Sequence, residues 1–152
     1  MMTVFQKLNL RDQNEIAVLN APASFEPELA ALQGVNILRS LKVAGEVSFS
    51  LAFVVRQKDL DTLAKAVAKK AKGDAVVWFA YPKGTSKKYK SEINRDHGWD
   101  VFGKAGFEPV RSVAIDEDWT GIRFRRVEFI KSMTRDPKSR MSDAGKARAG
   151  KK

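Results

Sequence analysis

The sequence predicts a three-layer α/β sandwich built on a mostly parallel six-stranded sheet that ends in a C-terminal antiparallel hairpin. Two observations support this fold class. Short apolar runs alternate with helical segments, which is the pattern of parallel strands joined by crossover helices. The run at residues 75–81 is apolar on both faces, as expected of a strand covered by helices on both sides of a sheet.

Six runs have the composition of strands, because they are rich in β-branched and aromatic residues and are bounded by turn residues. The last two flank residues 116–120 and lie too close together for a helical crossover, so they should pair antiparallel. Arg123, Arg125 and Arg126 place charge on that edge of the sheet, which guards against pairing between sheets. The predicted strands cover residues 16–20, 35–41, 47–55, 75–81, 109–115 and 121–130.

Three longer helices are predicted from caps and periodicity. Ser24 is placed as the N-cap of the first, and Asp59 caps the second, in which apolar residues recur three and four positions apart. Gly73 should close the second helix. A short helix or arm containing Phe5 and Leu8 should pack on the body. The three predicted helices cover residues 24–32, 59–72 and 91–104.

Composition excludes several classes of function. The 152 residues include no cysteine and one histidine, so a disulfide framework, a cysteine nucleophile and a thiolate or histidine zinc cage are excluded. No apolar run approaches the ~18 residues of a membrane span. We therefore expect a cytoplasmic protein without a metal site.

The net charge of +10 is unevenly distributed along the chain. Residues 131–152 carry eight basic and two acidic side chains, a net +6, and have almost no large apolar residues. Such a segment buries too little surface to offset its ordering entropy. We expect a single domain at residues 1–130 followed by a disordered basic tail at residues 131–152.

The second half of the chain has a glycine turn at Gly73, an apolar strand ending in Pro82, a helix, an Ala-Gly-Phe link at residues 105–107 and a hairpin. This order of elements resembles the C-terminal half of a Rossmann-like methyltransferase. The first half departs from that family. Where its members have a glycine-rich loop for the cofactor, residues 20–25 read Asn-Ala-Pro-Ala-Ser-Phe, so no glycine supplies a positive φ and Pro22 has no N–H to donate.

A second departure lies at the end of the second strand. An acid there would bind a ribose, but Arg39 has the opposite charge. A standard dinucleotide site also needs a glycine-rich loop after the first strand and an acid at the end of the second. Because the sequence has neither, such a site is excluded. We therefore predict no cofactor.

Three short motifs resemble those of an uncharacterised bacterial family of small α/β proteins. They are Asn-Ala-Pro at residues 20–22, Tyr-Pro-Lys at residues 81–83, and Asp-Glu-Asp-Trp-Thr-Gly-Ile at residues 116–122. The resemblance covers about residues 5–128, with Tyr81 where the family usually has Trp. That family has no established activity, so the resemblance implies a fold and no reaction.

The candidate ligand site lies at the carboxyl ends of the first and fourth predicted strands, which should be neighbours and share one rim. A cation, hydroxyls and a permissive backbone there could hold a phosphate or carboxylate. The alternative is a capped loop in which the Asn20 side chain bonds nearby backbone and Lys83 is solvated. The candidate residues are Asn20, Pro22, Tyr81, Lys83, Thr85 and Ser86.

The acidic cluster of Asp116, Glu117 and Asp118 is a secondary candidate, for a divalent ion or for acid–base work. Turns also favour Asp for local hydrogen bonds, and Trp119 would then pack over the hairpin end. His97 has no oriented partner or nucleophile, so we interpret it as a surface or half-buried residue.

The loop that follows the fourth strand carries a local run of positive charge. Lys87, Lys88 and Lys90 surround Tyr89, and together with the tail they could contact phosphate backbones without reading sequence. Solubilising charge is the alternative interpretation.

The function favoured by these residues is a non-catalytic binding or regulatory module for an anionic ligand or a protein partner. Nonspecific nucleic-acid binding is the second hypothesis. A divergent S-adenosylmethionine-dependent methyltransferase with an unfamiliar cofactor loop is the third.

Overall fold

The computed structural model describes residues 3–11, 13–43, 45–94 and 98–130. Within them, the α-helices are α1 (Val4–Lys7), α2 (Glu26–Ala30), α3 (Gln57–Lys70) and α4 (Asp100–Lys104). The strands are β1 (Glu15–Leu19), β2 (Asn36–Leu38), β3 (Val47–Phe53), β4 (Ala71–Pro82), β5 (Phe107–Ala114) and β6 (Trp119–Arg126). None of these helices is long and apolar enough to cross a membrane.

The six strands form one mixed sheet in the order β2-β1-β3-β4-β6-β5. Strands β2, β1, β3 and β4 are mutually parallel, and β6 pairs antiparallel with both β4 and β5. The predicted six-stranded α/β sheet with a C-terminal hairpin is therefore confirmed. The expectation that the first and fourth strands are neighbours is wrong, because β3 lies between them.

Two apolar clusters, one on each face of the sheet, make the fold three-layered. One cluster joins α1 and α2 to the sheet through side chains such as Phe25 and Leu29, and the other joins α3 and α4 through Leu60 and Phe102. Strand β4 contributes to both because neighbouring side chains point to opposite faces.

The N-terminal arm is fastened to β4. The indole Nε1 of Trp78 donates to the backbone oxygen of Leu8 at 2.7 Å, and the side chains of Phe5 and Leu8 are buried against the same face. The arm that the sequence predicted is present as α1, which Thr3 caps through a reciprocal hydrogen bond with Gln6.

The predicted helix at residues 91–104 is much shorter than expected. Among the described residues of this segment, the helix that forms is α4, and it does not extend back through Gly98, whose φ of +104° is incompatible with a right-handed helix. Upstream of it, Glu92 makes tertiary contacts instead of helical ones: its N–H donates to the carbonyl of Val55, and its Oε1 accepts from the N–H of Gln57. His97 and the predicted tail lie outside the described residues.

The second predicted helix is shifted by two residues at both ends. It begins at Gln57 after Arg56, which is the N-cap in place of Asp59, and it ends at Lys70. Gly73 lies inside β4 with a φ of +51°, near a register shift between β3 and β4. The last strand ends at Arg126 and continues as a short 3-10 helix, which leaves the predicted strand 121–130 four residues too long.

Gly121 is required because the Trp78 ring lies against its backbone. A Cβ at this position would be 3.2 Å from Cε3 of Trp78 and 3.4 Å from Cδ1 of Ile115. The Trp78 ring is fully buried and bonded to Leu8, so a shift of the ring would disturb its packing and that hydrogen bond. This contact is the physical reason for glycine in the Trp-Thr-Gly-Ile sequence.

We expect Gly121→Ala to lower the free energy of unfolding by about 1–3 kcal/mol, the usual cost of overpacking a core. Urea denaturation measures the change. Gly45→Ala is the matched control, because a Cβ there meets no atom within 4 Å. Equal stability of the two variants would show that the Trp78 contact is not restrictive.

Candidate functional site

The carboxyl ends of the parallel strands and the turn between β5 and β6 lie along one edge of the sheet, which we call the carboxyl rim. The chain passes from β1 to β2 on one side and then to β3 on the other, so the order of strands switches between β1 and β3. Ligands of open α/β sheets bind at such a switch point. The site predicted from topology is therefore the crevice between the β1 and β3 ends.

Asn20 makes the turn at the end of β1. Its φ is +58°, in the left-handed region, and its side chain is exposed. The loop contains no glycine, as its sequence shows, and Asn20 supplies the positive φ instead. Asparagine enters the left-handed region more readily than most residues. The backbone therefore turns sharply here without a glycine.

Pro22 directs the chain from this turn into the helical layer. Its carbonyl accepts a hydrogen bond of 2.9 Å from the N–H of Phe25, which closes a 3-10 turn at Ala23–Phe25. The Phe25 side chain is buried 4.9 Å from the ring of Phe53 on β3. The loop is thus anchored by an aromatic contact beneath the rim.

A carboxylate stands beside the end of β2, although it does not come from β2. The guanidinium of Arg39 donates two hydrogen bonds of 2.8 Å to the carboxylate of Glu26, the first residue of α2. This hydrogen bonding holds the pKa of Glu26 below its ordinary value and raises the pKa of Arg39. Both side chains are roughly half exposed. The sequence alone did not show this pair, because the fold brings together residues 13 positions apart.

The loop after β4 is fastened to the turn between β5 and β6. The N–H of Lys83 donates to the backbone oxygen of Asp118 at 2.8 Å, and the Ser86 hydroxyl donates to Oδ1 of Asp118 at 2.8 Å. The same hydroxyl accepts from the N–H groups of Lys88 and Tyr89 at 3.2 Å. The hydroxyl of Ser86 therefore organises the loop.

The acidic cluster serves the hairpin turn. Oδ1 of Asp116 accepts hydrogen bonds from the N–H groups of Asp118 and Trp119, at 2.8 and 2.9 Å. Among the described residues, no group of three or more histidine, aspartate or glutamate side chains could hold a metal ion. Trp119 packs 5.1 Å from Phe53 and 5.0 Å from Tyr89, measured between ring centroids. The turn interpretation accounts for these contacts.

The candidate ligand residues fall into two groups. Asn20 and Pro22 lie at the end of β1, whereas Lys83, Thr85 and Ser86 lie beyond the end of β4. Because β3 intervenes, the two groups are about 10 Å apart at the usual spacing of strands. Their binding of an anion stays a prediction.

Tyr81 differs from the other candidates because its side chain is buried, 5.8 Å from the ring of Trp99. By contrast, Lys87, Lys88 and Lys90 are exposed on the loop, so nucleic-acid binding through them also stays a prediction.

No protein-family model matches this chain, and no curated protein matches it either. The similar proteins are solved structures. Mitomycin 7-O-methyltransferase is 12% identical with a TM-score of 0.59, and the match covers 82% of this chain and 53% of that enzyme. The chain thus spans about half the length of this enzyme.

Two further structures extend the likeness. A SAM-dependent methyltransferase from Aquifex aeolicus is 13% identical with a TM-score of 0.55, and the match covers 82% and 88% of the two chains. The fibrillarin pre-rRNA processing protein of Methanococcus jannaschii is 13% identical with a TM-score of 0.50, covering 83% and 69%. At these identities the likeness is one of fold: the chain has the Rossmann-like fold of S-adenosylmethionine-dependent methyltransferases.

Removing the Ser86 hydroxyl should loosen the loop after β4. A hydrogen bond to a carboxylate contributes roughly 1.5 kcal/mol, so we expect Ser86→Ala to raise the rate of tryptic cleavage at the loop lysines by about tenfold. Thr85→Ala is the control, since Thr85 is exposed and is the neighbouring hydroxyl. Equal cleavage rates in both variants would contradict the role of Ser86.

The Glu26–Arg39 ion pair leads us to a prediction about the pKa of the Glu26 carboxyl. A carboxylate with a lowered pKa stabilises the fold at neutral pH, and this contribution is lost as the pH falls through that pKa. In Arg39→Gln the pKa of Glu26 should rise towards its ordinary value, as measured by carbon-13 NMR of the side-chain carboxyl. Lys42→Gln, which removes an exposed cation three residues further along the chain, should leave that pKa unchanged.

Proposed function

We propose that this protein is a divergent S-adenosylmethionine-dependent methyltransferase that binds its methyl donor in the crevice between β1 and β3. The observation that carries the proposal is the methyltransferase-like fold with a left-handed turn directly after β1. Such a turn, made by Asn20 in place of glycine, changes the direction of the chain within one residue at the end of β1. A bound molecule can then approach the main chain closely.

Glu26 supplies the acid that the end of β2 lacks. In the resembling family an acid at this place binds the ribose hydroxyls, and here the Glu26 carboxylate reaches the same end of the sheet from α2. Two hydroxyls on neighbouring carbons can both donate to one carboxylate. Arg39 orients that carboxylate and leaves lone pairs available for a ligand.

Methyl transfer itself requires little of the protein beyond positioning. When bound, S-adenosylmethionine would supply an electrophilic methyl group and a good leaving group, so the protein would mainly have to place an acceptor in line with it. Holding the two reactants in line lowers the entropic barrier. The acceptor would enter from the side of the β4 loop, where Lys83, Thr85 and Ser86 lie.

One observation favours a second candidate, a non-catalytic module for an anionic ligand. Arg39 and Lys83 place positive charge on both sides of the crevice, and Pro22 has no N–H to donate to the methionine part of the donor. On this hypothesis the Glu26–Arg39 ion pair has a structural role and occupies the position that a ribose would take in a methyltransferase.

Calorimetric titration separates the two candidates. We expect wild-type protein to bind S-adenosylmethionine or S-adenosylhomocysteine with saturable 1:1 heat, and Glu26→Gln to weaken binding by tenfold or more, because a hydrogen bond to a charged group is lost. Glu28→Gln is the matched control, an exposed acid on the same helix. Saturable heat that both variants retain would remove Glu26 from the site. No heat with wild-type protein would contradict the methyltransferase proposal and support the non-catalytic module.

A further inference from the structure

The outer hairpin carries three arginines on one face of the sheet. Arg111 on β5 lies directly opposite Arg123 on β6, and Arg125 is two residues further along the same strand. Side chains two residues apart on a strand share a face, as do directly opposite residues of paired strands. This face is the one to which Trp78 and Trp119 contribute.

Two acids lie near these arginines in the described part of the chain: Asp74, which is bonded to Arg125, and the buried Glu108 of β5, which lies directly opposite Arg125. Arg125 donates from Nε to Oδ1 of Asp74 at 2.9 Å and makes a second bond to the same carboxylate. Arg123 has a buried Nε without a hydrogen-bond partner among the described residues. Arg111 is exposed and likewise has no acidic partner there.

This arrangement is unfavourable in the absence of an anion. Like charges placed directly opposite across two strands destabilise a sheet. Burial, followed by the charges of Arg125 and Arg111, lowers the pKa of Arg123, although Asp74 partly opposes that shift. An unpartnered guanidinium N–H in a partly buried position also loses hydrogen bonding to water. A bound anion would remove both penalties at once.

We propose that Arg111 and Arg123 form a binding site for a phosphoryl group, distinct from the carboxyl rim. Each guanidinium presents a planar fork of donors that matches two oxygens of a phosphate. A phosphate dianion also neutralises two facing cations, which a single carboxylate does not. Free phosphate and the phosphates of a polynucleotide backbone share this chemistry, and the experiment below separates the two sources.

The first arm of the test uses inorganic phosphate with the full-length protein at constant ionic strength. We expect phosphate at about ten times its dissociation constant to raise the melting temperature by about 2–5 °C, because it binds the folded state and not the unfolded one. Arg111→Gln and Arg123→Gln should each lose most of that rise. Lys69→Gln, an exposed cation on α3 at the opposite face of the sheet, should retain it.

The second arm uses a short single-stranded oligonucleotide in place of phosphate. If the oligonucleotide binds and inorganic phosphate does not, the phosphoryl group belongs to a nucleic acid. That binding should be lost in Arg123→Gln and kept in Lys69→Gln. Binding of inorganic phosphate assigns the site to a small ligand. A response of the wild type no greater than that to chloride, or one equal in all variants, overturns the proposal. None of these outcomes depends on S-adenosylmethionine binding.

Discussion

The burial of β4 on both faces is the constraint on which the rest of the structure depends. Trp78 points to one side and packs under the N-terminal arm, whereas Phe79 points to the other and contacts Phe102 at 5.3 Å and Trp99 at 5.7 Å between ring centroids. A strand with two apolar faces is stable only between two helical layers, so β4 dictates the sandwich. Since β3 and β6 pair with it, β4 also sets where the carboxyl rim lies.

The rim itself is organised by polar contacts that the core cannot supply. Glu92 accepts from the start of α3, Ser86 donates to Asp118, and Glu26 is clasped by Arg39. Several side chains with the chemistry of ligand binding are thereby used to fix loops. Fewer polar side chains at the rim are therefore available to bind a ligand than the sequence suggests. The left-handed backbone turn at Asn20 is the most specific feature that remains.

Much of the fold was predictable from the sequence, because strand identity depends on local apolar patterning that β3 and β4 display strongly. The order of strands was less accessible. Whether β1 lies beside β3 or β4 depends on how the segments that connect the strands pack on the sheet. The residues within each strand do not determine that choice. The helix expected at residues 91–104 is interrupted at Gly98 by its positive φ, and upstream of it Glu92 makes tertiary hydrogen bonds to Val55 and Gln57 that helical periodicity does not reveal.

The candidate site was only partly predictable. The absence of a glycine after β1 was visible, but the left-handed turn of Asn20 is a conformational outcome that composition does not determine. Glu26 looked like an acid in the first turn of a helix, and its proximity to Arg39 exists only once β2 and α2 are placed. Long-range pairs of this kind are invisible to motif spacing.

The net charge of +10 does not by itself decide which ligand the rim accepts. A sulfonium donor is cationic at sulfur, so a basic chain would repel it if charges acted over the whole molecule. At physiological ionic strength exposed charges are screened beyond about 8 Å. Charged groups closer than that to a ligand therefore dominate, and Glu26 and Arg39 are such groups at the rim itself. On either proposal for the rim, that carboxylate and the guanidinium beside it are the groups that would distinguish a cationic methyl donor from an anion.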